Sequence, residues 1–186
     1  MVAHRGANSR LTIGHLPDPL AARAVFVSGY TLFDPATESV AIAALSRARS
    51  RYVATEAASW PLIVRRGAEW FFEATAPATL LFANEREAEA LTGLQEDAAA
   101  RALAERYAMA VVKLGSRGAI AAHGGRLVRE AAMPVVEVDP TGAGDAFDGA
   151  FLAALVAGLP VESALGQACA AGSRCAAQQG RWPQVG

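Results

Sequence analysis

The sequence predicts an α/β fold: a doubly wound, mostly parallel sheet with helices on both faces. Three observations predict it. Short apolar runs alternate with longer amphipathic ones along most of the 186 residues, the order of elements that produces a parallel sheet covered by helices. Residues 118–133 break this alternation with two runs around a Gly-Gly pair, which adds an antiparallel hairpin. Finally, "VDPTGAGDAFDGAF" (138–151) sets small residues directly before an apolar helical pattern, as at a tight turn into a helix. No linker or low-complexity stretch divides residues 1–186, so a single domain is expected.

Each element follows from its own pattern. "AVFVSGY" (24–30) reads as a buried strand ending near Gly29. "ATESVAIAALSRARS" (36–50) carries Val40, Ala44 and Ala48 at helical spacing. "RYVATEA" (51–57) is a second strand, and "PLIVRRGAEWFFEAT" (61–75) a helix with Pro61 in its first turn. "ATLLFAN" (78–84) is a third strand. "EREAEALTG" (85–93) is a short helix closed by Gly93. A helix over 96–108 and a strand over 109–115 follow, then the hairpin turning at Gly124–Gly125. "VVEVDP" (135–140) leads into the glycine-rich motif, and two helices, 143–157 and 161–178, complete the chain.

Composition narrows the function classes. A net charge of −1 gives no reason to expect nucleic acid or an anionic membrane as partner. No apolar run approaches the roughly 20 residues of a membrane span, and "MVAHRGANSR" lacks the apolar core of a signal peptide. Cys169 and Cys175, six residues apart on a predicted helix, point to different faces and cannot bridge within it. Free thiols and a cytoplasmic location are the expectation. His4, His15 and His123 show no metal-ligand spacing.

Chemistry concentrates in three places. At Thr141-Gly142-Ala143-Gly144-Asp145, the first N–H groups of a helix lack internal partners, and glycines leave them unshielded, so an anion can sit there. The dinucleotide fingerprint G-x-G-x-x-G fails at bulky Phe147, and no Walker loop occurs. A nicotinamide oxidoreductase is disfavoured on this ground. Asp145 would repel a phosphate, so its place beside one suits a base that takes a proton from an attacking hydroxyl. In "NEREAEALTG", Asn84 and Glu87 have the spacing of a capping box. The alternative is that they face a metal–phosphate group at the carboxyl end of a strand. In "VVKLGSRGAI", Lys113 ends a strand, with Gly115 and Gly118 allowing close approach of a ligand.

Together, in order and spacing, these stretches resemble the ribokinase-like (PfkB) family of carbohydrate and nucleoside kinases. "VDPTGAGDAFDGAF" resembles its C-terminal signature, "NEREAEALTG" its N-x-x-E segment and "VVKLGSRGAI" its nucleotide-loop strand, while "VFVSGYTL" and "RGAN" (5–8) fit family positions. The resemblance implies a sugar kinase with ATP as phosphoryl donor, Mg2+ as divalent metal and a monovalent cation as a further cofactor. It implies Asp145 as catalytic base and the amides of Gly142, Ala143 and Gly144 as anion hole. Lys113, Gly115, Gly118 and Thr141 would lie near the nucleotide, and Asn84 and Glu87 would order metal and phosphate. The family's glycine-rich sugar-binding strands and β lid have no counterpart before Arg5. The expectation is therefore an N-terminally incomplete fold that self-associates through an uncovered sheet edge. Two functions follow from it: an ATP-dependent sugar kinase, or a catalytically inactive nucleotide-binding or structural remnant of one.

Overall fold

The computed structural model describes Ala7 and residues 10–178. Of "RGAN", Arg5, Gly6 and Asn8 lie outside the described residues. The central sheet has six strands: β2 (Ala24–Val27), β4 (Tyr52–Glu56), β5 (Leu80–Asn84), β6 (Met109–Lys113), β7 (Ala119–His123) and β8 (Arg126–Glu130), in the spatial order β2-β4-β5-β6-β7-β8. The first four run parallel. The last two form the antiparallel hairpin against β6. Two short strands, β1 (Leu20–Ala21) and β3 (Ala48–Arg49), pair with each other in a separate small sheet.

Alternation along the strands sorts side chains between two cores. In β5, Leu81 and Ala83 point into one and Leu80 and Phe82 into the other, all four buried. The first core joins Val53, Leu81, Val112 and Ile120 to α2 (Glu38–Arg47), α3 (Trp60–Arg66), α4 (Ala68–Ala74), α5 (Glu85–Thr92) and α6 (Glu96–Ala104). The second joins Leu80, Phe82, Val111 and Ala121 to Phe147, Phe151 and Leu155 of α7 (Ala143–Val156) and to Leu165 and Ala168 of α8 (Val161–Ala176). A strand buried on both faces reads as a continuous apolar run, which is why "TLLFA" has no polar alternation.

Several elements differ from the sequence expectation, each for a local reason. The strand from Ala24 ends at Val27, and Gly29–Leu32 forms a single helical turn, α1. A Cβ at Gly29 would come within 2.3 Å of the Glu56 carbonyl oxygen, so the backbone crosses β4 where only glycine fits. The expected helix over 61–75 is two helices, α3 and α4, broken at Gly67 with φ 92°, a conformation no helix interior accommodates. The helix expected over 36–50 stops at Arg47, because Ala48 and Arg49 pair with Leu20 and Ala21 instead.

Candidate functional site

The parallel strands end on one side of the sheet, where α/β folds bind ligands. Here β4 ends in Glu56, β5 in Asn84 and β6 in Lys113. These ends, α1 and the first turn of α7 surround a cleft of about 490 Å3. Asn84, Glu87, Lys113, Gly115, Gly118, Ala143 and Gly144 all line it. So do Tyr30, Glu56 and Ala58, three residues the sequence alone did not single out. Ala58 is a non-glycine residue at φ 65°, a strained conformation that recurs at ligand sites.

Asn84 and Glu87 form the capping box: the Glu87 N–H donates to Asn84 Oδ1 (2.9 Å) and the Asn84 N–H donates to Glu87 Oε2 (2.8 Å). The cap and the site are the same residues, because β5 passes directly into α5 at the cleft floor. Glu87 is buried at 6% exposure. Burial raises its carboxyl above the usual range, the Asn84 N–H and Lys113 pull it down, and Glu56 pushes it up. Opposite, Ser28 Oγ donates to Glu56 Oε1 (2.7 Å). Burial raises the Tyr30 hydroxyl, and the carboxylates of Glu56, Glu87 and Asp145 raise it further.

The first turn of α7 is built as the glycine pattern foretold, with one correction. Gly142 caps the helix in the left-handed conformation (φ 86°). The Ala143 N–H, expected in the anion hole, donates to the Pro140 carbonyl (3.1 Å), because the turn closes before the helix begins. The N–H groups of Gly142, Gly144 and Asp145 are left open at this helix start among the described residues. Thr141 and Gly142 stand just outside the cleft, and the Thr141 N–H donates to Asp139 Oδ1 (2.9 Å). Asp145 is exposed at the cleft's mouth rather than in its lining. Gly118 also has a reason other than a ligand: at φ 97°, a Cβ there would meet the Glu130 carbonyl oxygen at 1.9 Å. Gly115 has open space around it.

One buried partner was not foreseen. Lys113 Nζ donates to both carboxylate oxygens of Asp148, at 2.9 Å each. Asp148 is 2% exposed. Its signal was present in the sequence: a second acid inside the apolar helical run "AFDGAF". Among the described residues no three His, Cys, Asp or Glu side chains cluster to hold a metal by themselves. Magnesium is instead commonly held by one or two carboxylates together with phosphates, and Glu87, which lines the same cleft as Gly144, fits that arrangement.

A family model described as pfkB family carbohydrate kinase matches residues 1–181. The chain belongs to the pfkB family of carbohydrate kinases. It is 43% identical over 90 residues to 2-dehydro-3-deoxygalactonokinase of Haloferax volcanii, covering 46% of this chain and 28% of that protein. It is 36% identical over 115 residues to ribokinase of Arabidopsis thaliana, covering 57% of this chain and 30% of that protein. The structure superposes on a probable sugar kinase from Rhizobium etli with a TM-score of 0.84 at 23% identity, over 95% of this chain and 56% of the other, which establishes a shared fold. These matches span less than a third of the curated relatives and little more than half of the structural neighbour. No helix among the described residues is long and apolar enough to cross a membrane.

Proposed function

We propose that this chain carries the phosphate-handling half of an ATP-dependent kinase for a sugar, sugar acid or nucleoside hydroxyl. The observation that carries the reading is convergence: Asn84 of β5, Glu87 of α5, Lys113 of β6 and Gly144 of α7 reach one cleft from four different elements. In this reading Asp145 takes the proton of the acceptor hydroxyl as its oxygen attacks the γ-phosphorus and ADP leaves. The amides of Gly142 and Gly144 and the ammonium of Lys113 meet the charge that develops on the transferring group. Glu87, with Asn84, would hold magnesium, which would supply positive charge to neutralise the phosphates. Cys169 and Cys175 are free thiols, in keeping with work in the cytoplasm.

A coupled ATP-consumption assay over a panel of sugars, sugar acids and nucleosides tests the reading. Turnover is expected with one class of acceptor. Asp145→Asn should lower it by about 10²–10⁴-fold while calorimetry with a non-hydrolysable ATP analogue shows binding retained. Equal turnover in variant and parent would remove Asp145 from the mechanism. A second reading, nucleotide binding without transfer, is favoured by the exposure of Asp145, since phosphoryl transfer relies on positioning and exclusion of water. Tight ATP-analogue binding with no consumption across the whole panel would select it.

A further inference from the structure

We propose that Asp148 is a positioning residue: it fixes the Lys113 ammonium beneath the phosphate cradle at Gly144, so that Lys113 reads nucleotide phosphates only while Asp148 holds it. The proposal rests on the kinase reading above. Lys113 lines the cleft and Asp148 does not, so Asp148 acts on a ligand only through the lysine. The geometry of the pair is specific. Both carboxylate oxygens take a hydrogen bond from Nζ at 2.9 Å, and an ammonium has three N–H donors. One donor is therefore left for the cleft. Lys113 Nζ lies 3.4 Å from where a Cβ on Gly144 would stand, against the first turn of α7. Asp148 follows Gly144 by four residues on α7, so the two share a helix face. The Phe82 ring closes another side, 5.8 Å from Nζ.

Such an arrangement requires an explanation beyond stability. A buried ion pair is often no better for stability than apolar residues of the same volume. Here the pair interrupts a face that otherwise carries Phe147, Phe151, Leu152 and Leu155 into the second core. A free lysine is a flexible four-carbon stem with a point charge. Held on two oxygens, with its side chain only 17% exposed, that charge keeps one place relative to the amides, and a preorganised donor need not reorganise when the phosphate arrives.

The composition supplies the test. Lys113 is the sole lysine of the chain, so lysine labelled at the ε-carbon gives a single NMR signal from the 186-residue protein. In the parent that side chain should be rigid, and its signal should move with ATP and with tripolyphosphate but not with adenosine. Asp148→Asn should free the side chain and weaken ATP binding by about tenfold, with adenosine binding unchanged. Lys113→Met should weaken ATP binding to a similar extent, and the double variant K113M/D148N no further, because Asp148 acts only through the lysine. Asp148→Glu, which keeps the carboxylate, should retain most of the restraint and of the affinity. The proposal is overturned alone if the parent binds ATP with Lys113 already mobile. It is equally overturned if Asp148→Asn binds ATP as well as the parent or better, if the two losses add, or if Asp148→Glu loses as much as Asp148→Asn. No binding of ATP by the parent, with Lys113 rigid and released by Asp148→Asn, would overturn the kinase reading and reduce Asp148 to a structural partner.

Discussion

Gly144 shows how one missing Cβ serves the cleft. Its φ lies outside the left-handed region, so a side chain there is not refused by the backbone. It would instead crowd Lys113 Nζ, 3.4 Å from the added Cβ, at the cleft that both residues line. Gly144→Val should therefore fold and lose ATP-analogue affinity by about tenfold or more. Calorimetry beside a thermal melt checks both parts, and unchanged affinity would leave the glycine a role in the turn alone. Asp148 offers a different residue-scale test. Burial pushes its carboxyl up to about 7, Lys113 pulls it down, and Glu56 and Asp145 add to the push. The unfolded carboxyl loses its proton near pH ~4. From there to about pH 7 the folded chain binds more protons than the unfolded one, so this group's contribution to stability falls as pH rises. Asp148→Asn should remove that slope, and urea midpoints of variant and parent should draw apart across the window. Identical pH dependence would mean that the carboxyl titrates at its ordinary value. Residues of the contiguous glycine-rich stretch were legible in the sequence because a turn into a helix is a local pattern. The partner of Asp148 and the places of Glu56 and Tyr30 were not, since only tertiary packing brings residues 28 and more apart to one place, as the Ser28–Glu56 and Lys113–Asp148 bonds do.

At the scale of elements, the strands were the most legible part. β5 and β6 were foreseen to within two residues at each end, because strands buried on both faces announce themselves as short apolar runs between breakers. The helix over 61–75 was misread as continuous because Gly67 sits inside an unbroken amphipathic pattern, and a single glycine does not disclose its φ. Pairing of β1 with β3 was illegible because two-residue strands leave no periodicity. The turn Gly115–Arg117 after β6 is fastened from outside: Arg117 pairs with Glu85 at the start of α5 and with Glu96 at the start of α6, and Arg129 of β8 reaches Glu96 and Asp97. Its far end depends on Gly118. An alanine there would need both φ 97° and a Cβ inside the Glu130 carbonyl. Gly118→Ala should cost more than about 2 kcal/mol, read as a lowered denaturation midpoint. Gly115→Ala, with open space but φ 60°, should cost about 1 kcal/mol. Equal costs would show that the β7–β8 hairpin yields to the added methyl.

The whole molecule is asymmetric in how its sheet is covered. α7 and α8 protect β5, β6 and β7 on their face, while on that same face Phe26 of β2 stays 40% exposed and Tyr52 of β4 only partly buried. β2 is also the outermost strand of the parallel section, with β4 on one side and no strand among the described residues on the other. Both conditions at once are unfavourable: parallel strands are normally buried on two faces, and an unpaired apolar edge presents free N–H and C=O groups to any similar edge. The surface best matched to it is the same edge on a second copy, because an isologous contact pairs the patch with itself about a two-fold axis. The 186-residue chain should therefore self-associate, with a sedimentation coefficient that rises with concentration. Phe26→Lys places a charge in the middle of that patch, where natural edge strands carry charges to prevent pairing. Its own packing loss is small, since Phe26 is already part-exposed and touches Phe82 at a centroid distance of 6.3 Å. The variant should sediment as a monomer with thermal stability near the parent's. A parent that stays monomeric at every concentration would show that this edge does not pair with its own copy, and a variant that still associates would move the contact elsewhere on the surface.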